Sequence, residues 1–162
     1  MEFDAAIALG VFVISAFAAA SAGGIFTPGD WYERLNHPSW RPPNWIFPLV
    51  WTPLFGTIAW SGFMVWQASG WSGAAGAFAV YYIHLVINFA WSWVFFGLRR
   101  PDWALAEVGL LFASILATMA VFWEHSQTAA LILIPYLTWV GFAGFLNWTI
   151  MRLNPNAHQI DA

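Results

Sequence analysis

The sequence predicts an all-α integral membrane protein, a bundle of five transmembrane helices with a structured loop between helices 1 and 2. Three observations predict it: five apolar runs of about 20 residues, very few charged residues, and a one-sided distribution of the arginines. Only 8% of the residues are charged, whereas a soluble domain carries roughly 25%. The five runs use nearly the whole chain, so we expect residues 1–162 to form a single transmembrane domain.

Breaker residues bound each predicted span. The spans cover about residues 5–26, 45–67, 74–98, 103–123 and 128–151, each close to the roughly 20 residues that cross the hydrocarbon core. We expect each span to be a helix, because every backbone N–H in hydrocarbon must find a hydrogen-bond partner within its own span. Pro48 and Pro53 in span two and Pro135 in span five are expected to kink or locally unwind their helices.

The arginines follow alternate spans, and the chain contains no lysine. They are Arg34 and Arg41 after span one, Arg99 and Arg100 after span three, and Arg152 after span five. Arginine is retained on the cytoplasmic side during insertion. The distribution predicts an N-terminus outside, with the C-terminus and the 1–2 and 3–4 loops in the cytoplasm. Five cations without a basic track also argue against a nucleic-acid partner.

The loop at residues 27–44 is long and rich in rigid, bulky residues. It contains Trp31, Tyr32, His37, Pro38, Trp40, Pro42 and Pro43. One interpretation is a lid packed over one end of the bundle, and the other is an interfacial segment anchored by its aromatic rings. We favour the lid because the clustered prolines restrict the backbone.

Many tryptophans are typical of the interfacial belt, because they lie near span ends: Trp45, Trp66, Trp71, Trp103, Trp123 and Trp148. Trp51 and Trp139 lie well inside spans two and five. An indole N–H in hydrocarbon needs a partner, so we expect these two rings to face the interior of the bundle.

Two spans carry polar and aromatic residues on one helix face, at a spacing of three or four. They are Tyr81, His84, Asn88, Trp91 and Phe95 in span three, and Tyr136, Trp139, Ala143 and Asn147 in span five. Such faces can enclose a flat apolar cavity with a few donors, or the amides of Asn88 and Asn147 can simply link helices. Two such faces, Trp51 and a lid together favour the cavity.

Small residues at Ala16, Ala20 and Gly24 suit either a seam within the chain or a dimer face.

Glu107 in span four is a functional candidate as an intramembrane carboxylate, but a structural role near Arg99 and Arg100 fits equally well. His84 fits a hydrogen-bonded packing role better than haem ligation. The sequence holds no cysteine, no metal-ligand set and no nucleophile motif.

Three ordered motifs are distributed along the chain. They are Trp31-Tyr32-x-x-Leu35-Asn36-x-Pro38-x-Trp40-x-Pro42-Pro43-x-Trp45-x-Phe47, then Asn88-x-x-Trp91 with Phe95-Phe96, then Pro135-Tyr136-Leu137-x-Trp139 with Leu146-Asn147. In these motifs the chain resembles the translocator protein family, also called tryptophan-rich sensory proteins or peripheral-type benzodiazepine receptors. The acidic N-terminus and the departure described below favour a bacterial member in a bacterial membrane.

The resemblance implies a homodimer whose pocket opens toward the first loop and binds protoporphyrin IX and related porphyrins, or isoquinoline and benzodiazepine-type drugs. Porphyrin is then a ligand, and no obligatory cofactor is expected. The expected ligand-binding residues, with Phe55 added to those carried over by motif, are Trp51, Asn88, Trp139, Trp91, Trp103, Tyr32, Pro42, Phe55 and Ala143.

The resemblance leaves the activity open between binding and turnover. The first hypothesis is a membrane binding protein that transports, senses or regulates tetrapyrroles. The alternative is light-dependent, photo-oxidative degradation of the bound porphyrin, in which Trp51 and Trp139 would be the catalytic residues. Animal members carry a sterol-recognition pattern with a tyrosine where this chain has Trp148, so the sequence does not support sterol binding.

Overall fold

A computed structural model describes residues 2–159, and the side chains of residues 3–158. Residues 1 and 160–162 of the predicted domain lie outside the described residues. Five helical spans, long and apolar enough to cross a membrane, confirm the predicted all-α bundle: Phe3–Ile25, Ile46–Gly73, Ala75–Gly97, Pro101–Trp123 and Gln127–Leu153. No β-strand occurs between residues 2 and 159.

Three of the spans are divided into separate helical segments, in addition to the break in span two that is described below. Span one consists of helices Glu2–Ala20 and Ala22–Ile25, and span five of helices Gln127–Leu131 and Ile134–Leu153. Span three is helical over Ala75–Ser92 and ends in a π-helical turn, Trp93–Gly97. The break in span five precedes Pro135, which lies in the first turn of the second helix. This confirms the local unwinding predicted there, because proline supplies no N–H to continue the first helix.

Span two extends beyond its predicted end near residue 67 to Gly73. The helix is interrupted at Gly70, whose φ is +66°, and the chain forms one more helical turn after it. That turn holds Trp71 against Phe12 and Phe78, with ring centroids 5.3 Å apart in both pairs. Pro48 causes no interruption because the helix begins at Ile46 and the first turn needs no backbone donor.

The spans follow the order one, two, five, four, three around the bundle. The half away from the long loop is filled by large rings: Phe12 packs on Tyr81, and Tyr81 stacks on Phe122 at 5.7 Å. Gly62 allows this close approach, because a Cβ there would lie 2.6 Å from a ring carbon of Phe12. A larger residue at this position of span two would have to displace the Phe12 ring.

The 27–44 segment, which we call the lid loop, is structured and packed on the bundle. Its short helix Asp30–Arg34 buries Trp31 and Tyr32 against Phe95 of span three. A 3₁₀ turn at Ala157–Gln159 lies beside it. We call this end of the bundle, with residues 98–100 and the segment after span five, the lid end. The predicted lid is the arrangement found, and the arginines of the chain all lie at this end.

Candidate functional site

A cavity of about 850 Å³ lies between the spans beneath the lid loop. All five spans and the lid loop contribute to its wall, which is mostly apolar. Ligand sites in proteins are typically concave, apolar and of a few hundred to about 1,000 Å³, with few polar groups. The cavity has the size and lining of a site for a small organic molecule.

Six of the predicted ligand-binding residues line this cavity: Tyr32, Trp51, Phe55, Asn88, Trp91 and Ala143. They come from the lid loop and from spans two, three and five, so the fold brings together residues that are far apart in the sequence. Their contribution to binding stays a prediction. Trp139, Pro42 and Trp103, the three remaining residues, are not part of its lining.

These three residues have different surroundings. Phe47 lines the cavity and separates it from Trp139, with the two ring centroids 5.8 Å apart. Trp103 is 56% exposed beneath the Arg100 guanidinium, 4.3 Å from the ring centroid, which matches the belt position that its place in the sequence predicts. Pro42 is half-buried in the lid loop.

The aromatic wall is built mainly by spans two and three. Trp51 stacks on Phe55 with centroids 5.3 Å apart and meets the edge of Tyr136 at 6.1 Å. On the opposite side Trp91 stacks on Phe95 at 5.3 Å. The indole N–H of Trp91 is buried without a hydrogen-bond partner. The wall therefore offers ring faces to a flat guest.

Two of the amides in the cavity wall, those of Asn88 and Asn147, also link helices. Asn88 donates to the hydroxyl of Tyr136 at 2.7 Å, which joins spans three and five. With its amide oriented to satisfy both atoms, Asn147 donates to the Pro101 carbonyl at 3.1 Å and accepts from the Leu105 N–H at 2.9 Å. The two interpretations of the polar faces are thus both realised, because these amides line the cavity and hold its walls together.

The small residues of span one have a role that the sequence interpretation missed. Ala16, Ala20 and Gly24, which we expected at a seam or a dimer face, line the cavity. Their spacing indicated a helix face with only small side chains. In the structure this face borders the cavity, and the small side chains leave room for it. The cavity also reaches the outer surface between spans one and two, where two of its lining residues, Phe17 and Trp60, are 75% and 49% exposed.

The two intramembrane ionisable residues are placed away from this lining. His84 is buried, with its Nδ1 atom 2.6 Å from the carbonyl oxygen of Tyr81, which agrees with the packing role. Both carboxylate oxygens of Glu107 are buried without a hydrogen-bond partner. Arg100 instead pairs with Asp102, its Nε donating at 2.8 Å. The structure therefore does not pair Glu107 with Arg100.

The lid loop is held by hydrogen bonds to the segment after span five. The Trp31 indole N–H donates to the Ala157 carbonyl at 2.9 Å. Asn154 accepts from the Asn36 N–H at 2.8 Å and donates to the Asn36 carbonyl at 2.9 Å. These bonds satisfy polar groups that the packed loop would otherwise bury unpaired.

Tyr32 forms the floor of the lid loop over the cavity. Its ring packs on Phe95 and Phe96, with centroids 5.9 and 5.4 Å away. The His37 Nε2 atom lies 2.8 Å from the Tyr32 carbonyl oxygen and 3.2 Å from the Arg41 Nη1 atom. Burial lowers the pKa of His37 and Arg41 lowers it further, outweighing the opposite effects of the Tyr32 carbonyl and Glu33. The docked loop therefore favours the neutral ring.

Five apolar spans define an integral membrane protein, and its structured loop lies above an aromatic cavity that has the size of a small-molecule site. The chain belongs to the TspO/MBR family, which it matches over residues 11–153, and the predicted resemblance is confirmed.

Three relatives illustrate the similarity. The chain is 40% identical over 162 residues to the tryptophan-rich sensory protein of Cereibacter sphaeroides, covering 100% of both chains. It is 36% identical over 157 residues to protein CrtK of Rhodobacter capsulatus, covering 93% of this chain and 94% of the relative. It is 34% identical over 159 residues to the translocator protein of Homo sapiens, covering 95% of this chain and 89% of the relative.

Replacing Asn154 by leucine should loosen the lid loop without unfolding the spans. The change removes the two part-buried hydrogen bonds that Asn154 makes to Asn36, each of which contributes about 0.5–1.5 kcal/mol. We expect amide exchange over residues 30–44 to become at least about tenfold faster. Asn156→Leu, an exposed position in the same segment, is the matched control. Equal exchange rates in the two variants would show that the Asn154 hydrogen bonds do not hold the lid loop in place.

Docking of the lid loop should weaken in acid through His37. The pKa of His37 is near 6.5 in the undocked loop and lower in the docked loop. As the pH falls, the ring is therefore protonated more readily in the undocked loop, which favours undocking. Docking is therefore unaffected above about pH 6.5 and declines below it. The chain has no cysteine, so a single spin label at Ser39→Cys can report loop mobility from pH 8 to 5. The increase in loop mobility at low pH should disappear in His37→Gln and remain in the control His158→Gln. If it persists in His37→Gln, protonation of His37 is not its cause.

Proposed function

We propose that this membrane protein binds tetrapyrroles such as protoporphyrin IX in the cavity beneath the lid loop, and thereby contributes to their transport, sensing or regulation. The observation that carries the proposal is the aromatic wall of a cavity of about 850 Å³ inside a membrane bundle. The relatives are named tryptophan-rich sensory protein and translocator protein, and those names agree with sensing or transport.

Stacking is the interaction that suits this wall to a planar macrocycle. The paired rings of Trp51 and Phe55 present a broad apolar surface, and Trp91 faces the same cavity from span three. Offset aromatic pairs contribute about 0.5–1.5 kcal/mol beyond the burial of their area. Planar isoquinoline and benzodiazepine-type drugs meet the same requirements, so we expect them to compete for the site.

Access from the bilayer is part of the proposal. A guest with a large apolar surface partitions into hydrocarbon, and the cavity reaches the surface between spans one and two beside Phe17 and Trp60. From the arginine distribution we infer that the lid end faces the cytoplasm. The guest would thus move between the bilayer and a site closed on the cytoplasmic side by the lid loop.

Trp51→Leu should weaken binding of protoporphyrin IX by about tenfold, because one stacking face of the cavity is lost. Quenching of the remaining tryptophans during titration of the purified protein in nanodiscs measures the affinity. Trp123→Leu is the control, since that ring is 48% exposed and outside the cavity lining. Trp139→Leu should have a smaller effect than Trp51→Leu because Phe47 lies between Trp139 and the cavity. Unchanged affinity in Trp51→Leu would remove the proposed site.

A second candidate function is light-dependent degradation of the bound porphyrin. One observation favours it: oxidisable rings contact one another in series from the cavity wall inward. Trp51 meets Tyr136 at 6.1 Å, and Tyr136 meets His84 at 5.9 Å. In this function the illuminated macrocycle generates the oxidant from dissolved oxygen, and the protein orients it beside rings that can be oxidised.

Illumination of the complex while following the Soret band separates the two functions. If the protein takes part, Trp51→Phe should bleach several times more slowly than the unmodified protein, with both sites saturated. Trp139→Phe should bleach at a rate closer to the unmodified protein because its ring is separated from the cavity. Identical rates in all three proteins would leave binding without turnover as the function.

A further inference from the structure

The outer surface of span five carries a row of three stacked rings toward the lid end. Trp40 of the lid loop stacks on Phe145, with ring centroids 5.3 Å apart and an interplanar angle of 17°. Phe145 stacks in turn on Trp148, at 5.7 Å and 26°. We call these three rings the ring row. Each of them is between 40% and 55% exposed, and none belongs to the lining of the cavity.

A guanidinium group lies at one end of the ring row. Phe145, Trp148 and Arg152 are spaced by three and four residues, so they share one face of the helix Ile134–Leu153. The guanidinium carbon of Arg152 lies over the Trp148 ring, 5.4 Å from its centroid. Arg152 is exposed, and no carboxylate of residues 3–158 pairs with it. An anion from outside the chain can therefore reach this cation.

The order of these groups along span five matches the layers of a bilayer. A helix rises about 1.5 Å per residue, so Arg152 lies about 6 Å nearer the lid end than Trp148. Exposed tryptophans are typical of the boundary between hydrocarbon and headgroups. With Trp148 at this boundary, Phe145 lies beside acyl chains and Arg152 lies at the level of lipid phosphates. The surface is thus apolar where a phospholipid is apolar and cationic where its phosphate is anionic.

Two general effects also favour a cation near the end of span five. A positive charge close to a helix C-terminus interacts favourably with the helix dipole, and cytoplasmic arginines set the topology of the chain. Neither effect requires a row of exposed rings that includes a residue of the lid loop. Arg100 provides a comparison at the same end, because its Nε donates to Asp102 at 2.8 Å. The guanidinium of Arg100 is therefore already bound to an anion of the chain, unlike that of Arg152.

We propose that the ring row and Arg152 bind one anionic phospholipid, whose phosphate accepts hydrogen bonds from Arg152 while an acyl chain packs on Phe145. A planar guanidinium can donate two parallel hydrogen bonds to phosphate oxygens, and stacking on Trp148 restricts its orientation. Basic residues beside a transmembrane helix attract anionic lipids. Because Trp40 belongs to the lid loop, the bound lipid also contacts the loop and favours its docked state. The site is independent of what the cavity binds.

Native mass spectrometry of the purified protein can measure the binding of single lipids. We expect phosphatidylglycerol to bind at least about fivefold tighter than phosphatidylcholine, whose choline group competes with Arg152 for the phosphate. Arg152→Gln should weaken phosphatidylglycerol binding at least about fivefold and change phosphatidylcholine binding little. Trp148→Leu should weaken phosphatidylglycerol binding about threefold, because the guanidinium loses its stacking partner. Arg100→Gln is the matched control, since it removes the same charge at the same end of the bundle.

The contact with Trp40 allows a second measurement in bilayers. A spin label at Ser39→Cys should be less mobile in phosphatidylglycerol nanodiscs than in phosphatidylcholine nanodiscs. The comparison is made at pH 8, where His37 is neutral in the docked and the undocked loop. In Arg152→Gln the lipid should have no effect on the mobility of the label. Equal mobility in both lipids for the protein with Arg152 would refute a lipid contact with the lid loop.

Three results would overturn the lipid site. Equal phosphatidylglycerol affinity in the unmodified protein and in Arg152→Gln would show that this arginine does not hold the lipid. An equal loss of affinity in Arg152→Gln and Arg100→Gln would show a general attraction to the charged end of the bundle instead of a site. If Arg152→Gln changes the association of two copies of the chain and leaves lipid binding unchanged, the ring row is a protein contact and the lipid assignment is wrong.

Discussion

The rest of the structure depends on the requirement that backbone polar groups in hydrocarbon be bonded within their own helix. The five spans meet it, so irregular backbone is confined to the ends of the bundle. The lid loop is irregular and still buries Trp31 and Tyr32. It can do so because the segment after span five supplies the missing partners, through Ala157 to Trp31 and through Asn154 to Asn36. The lid over the cavity thus depends on residues at the opposite end of the sequence.

The bundle is tight in one half and open in the other, and residue size explains the contrast. Away from the lid loop, Phe12 fills the space that Gly62 leaves. Toward the lid loop, span one presents alanine and glycine, such as Ala20 and Gly24, and these small residues line the cavity. An apolar cavity lowers stability, because its lining loses packing contacts. Its presence in a bundle that elsewhere packs closely agrees with a site kept for a guest.

Most of the fold could be predicted from the sequence, because span length, helix faces and cation placement are local signals. The shared face of Tyr81, His84 and Asn88 is buried as the spacing predicted. The extension of span two, the π-helical turn Trp93–Gly97 and the helix Asp30–Arg34 could not be predicted in this way. These features are selected by packing against other segments. The position of Trp139 relative to the cavity could not be predicted either. Periodicity gives the helix face and the depth of this residue, but its separation from the cavity depends on packing against Phe47 of another span.

The hydrogen bonds of the cavity wall determine which substitutions can report on binding. Asn88 and Asn147 line the cavity, but they also join span three to span five and span five to span four. Removing either amide leaves buried groups unpaired, so lost binding would not be separable from lost packing. The Trp51 ring contacts its neighbours only through apolar surface. A smaller apolar side chain there changes the stacking face and leaves the links between the helices intact. The indole rings, rather than the amides, are therefore the groups whose replacement can separate recognition of a guest from stability of the bundle.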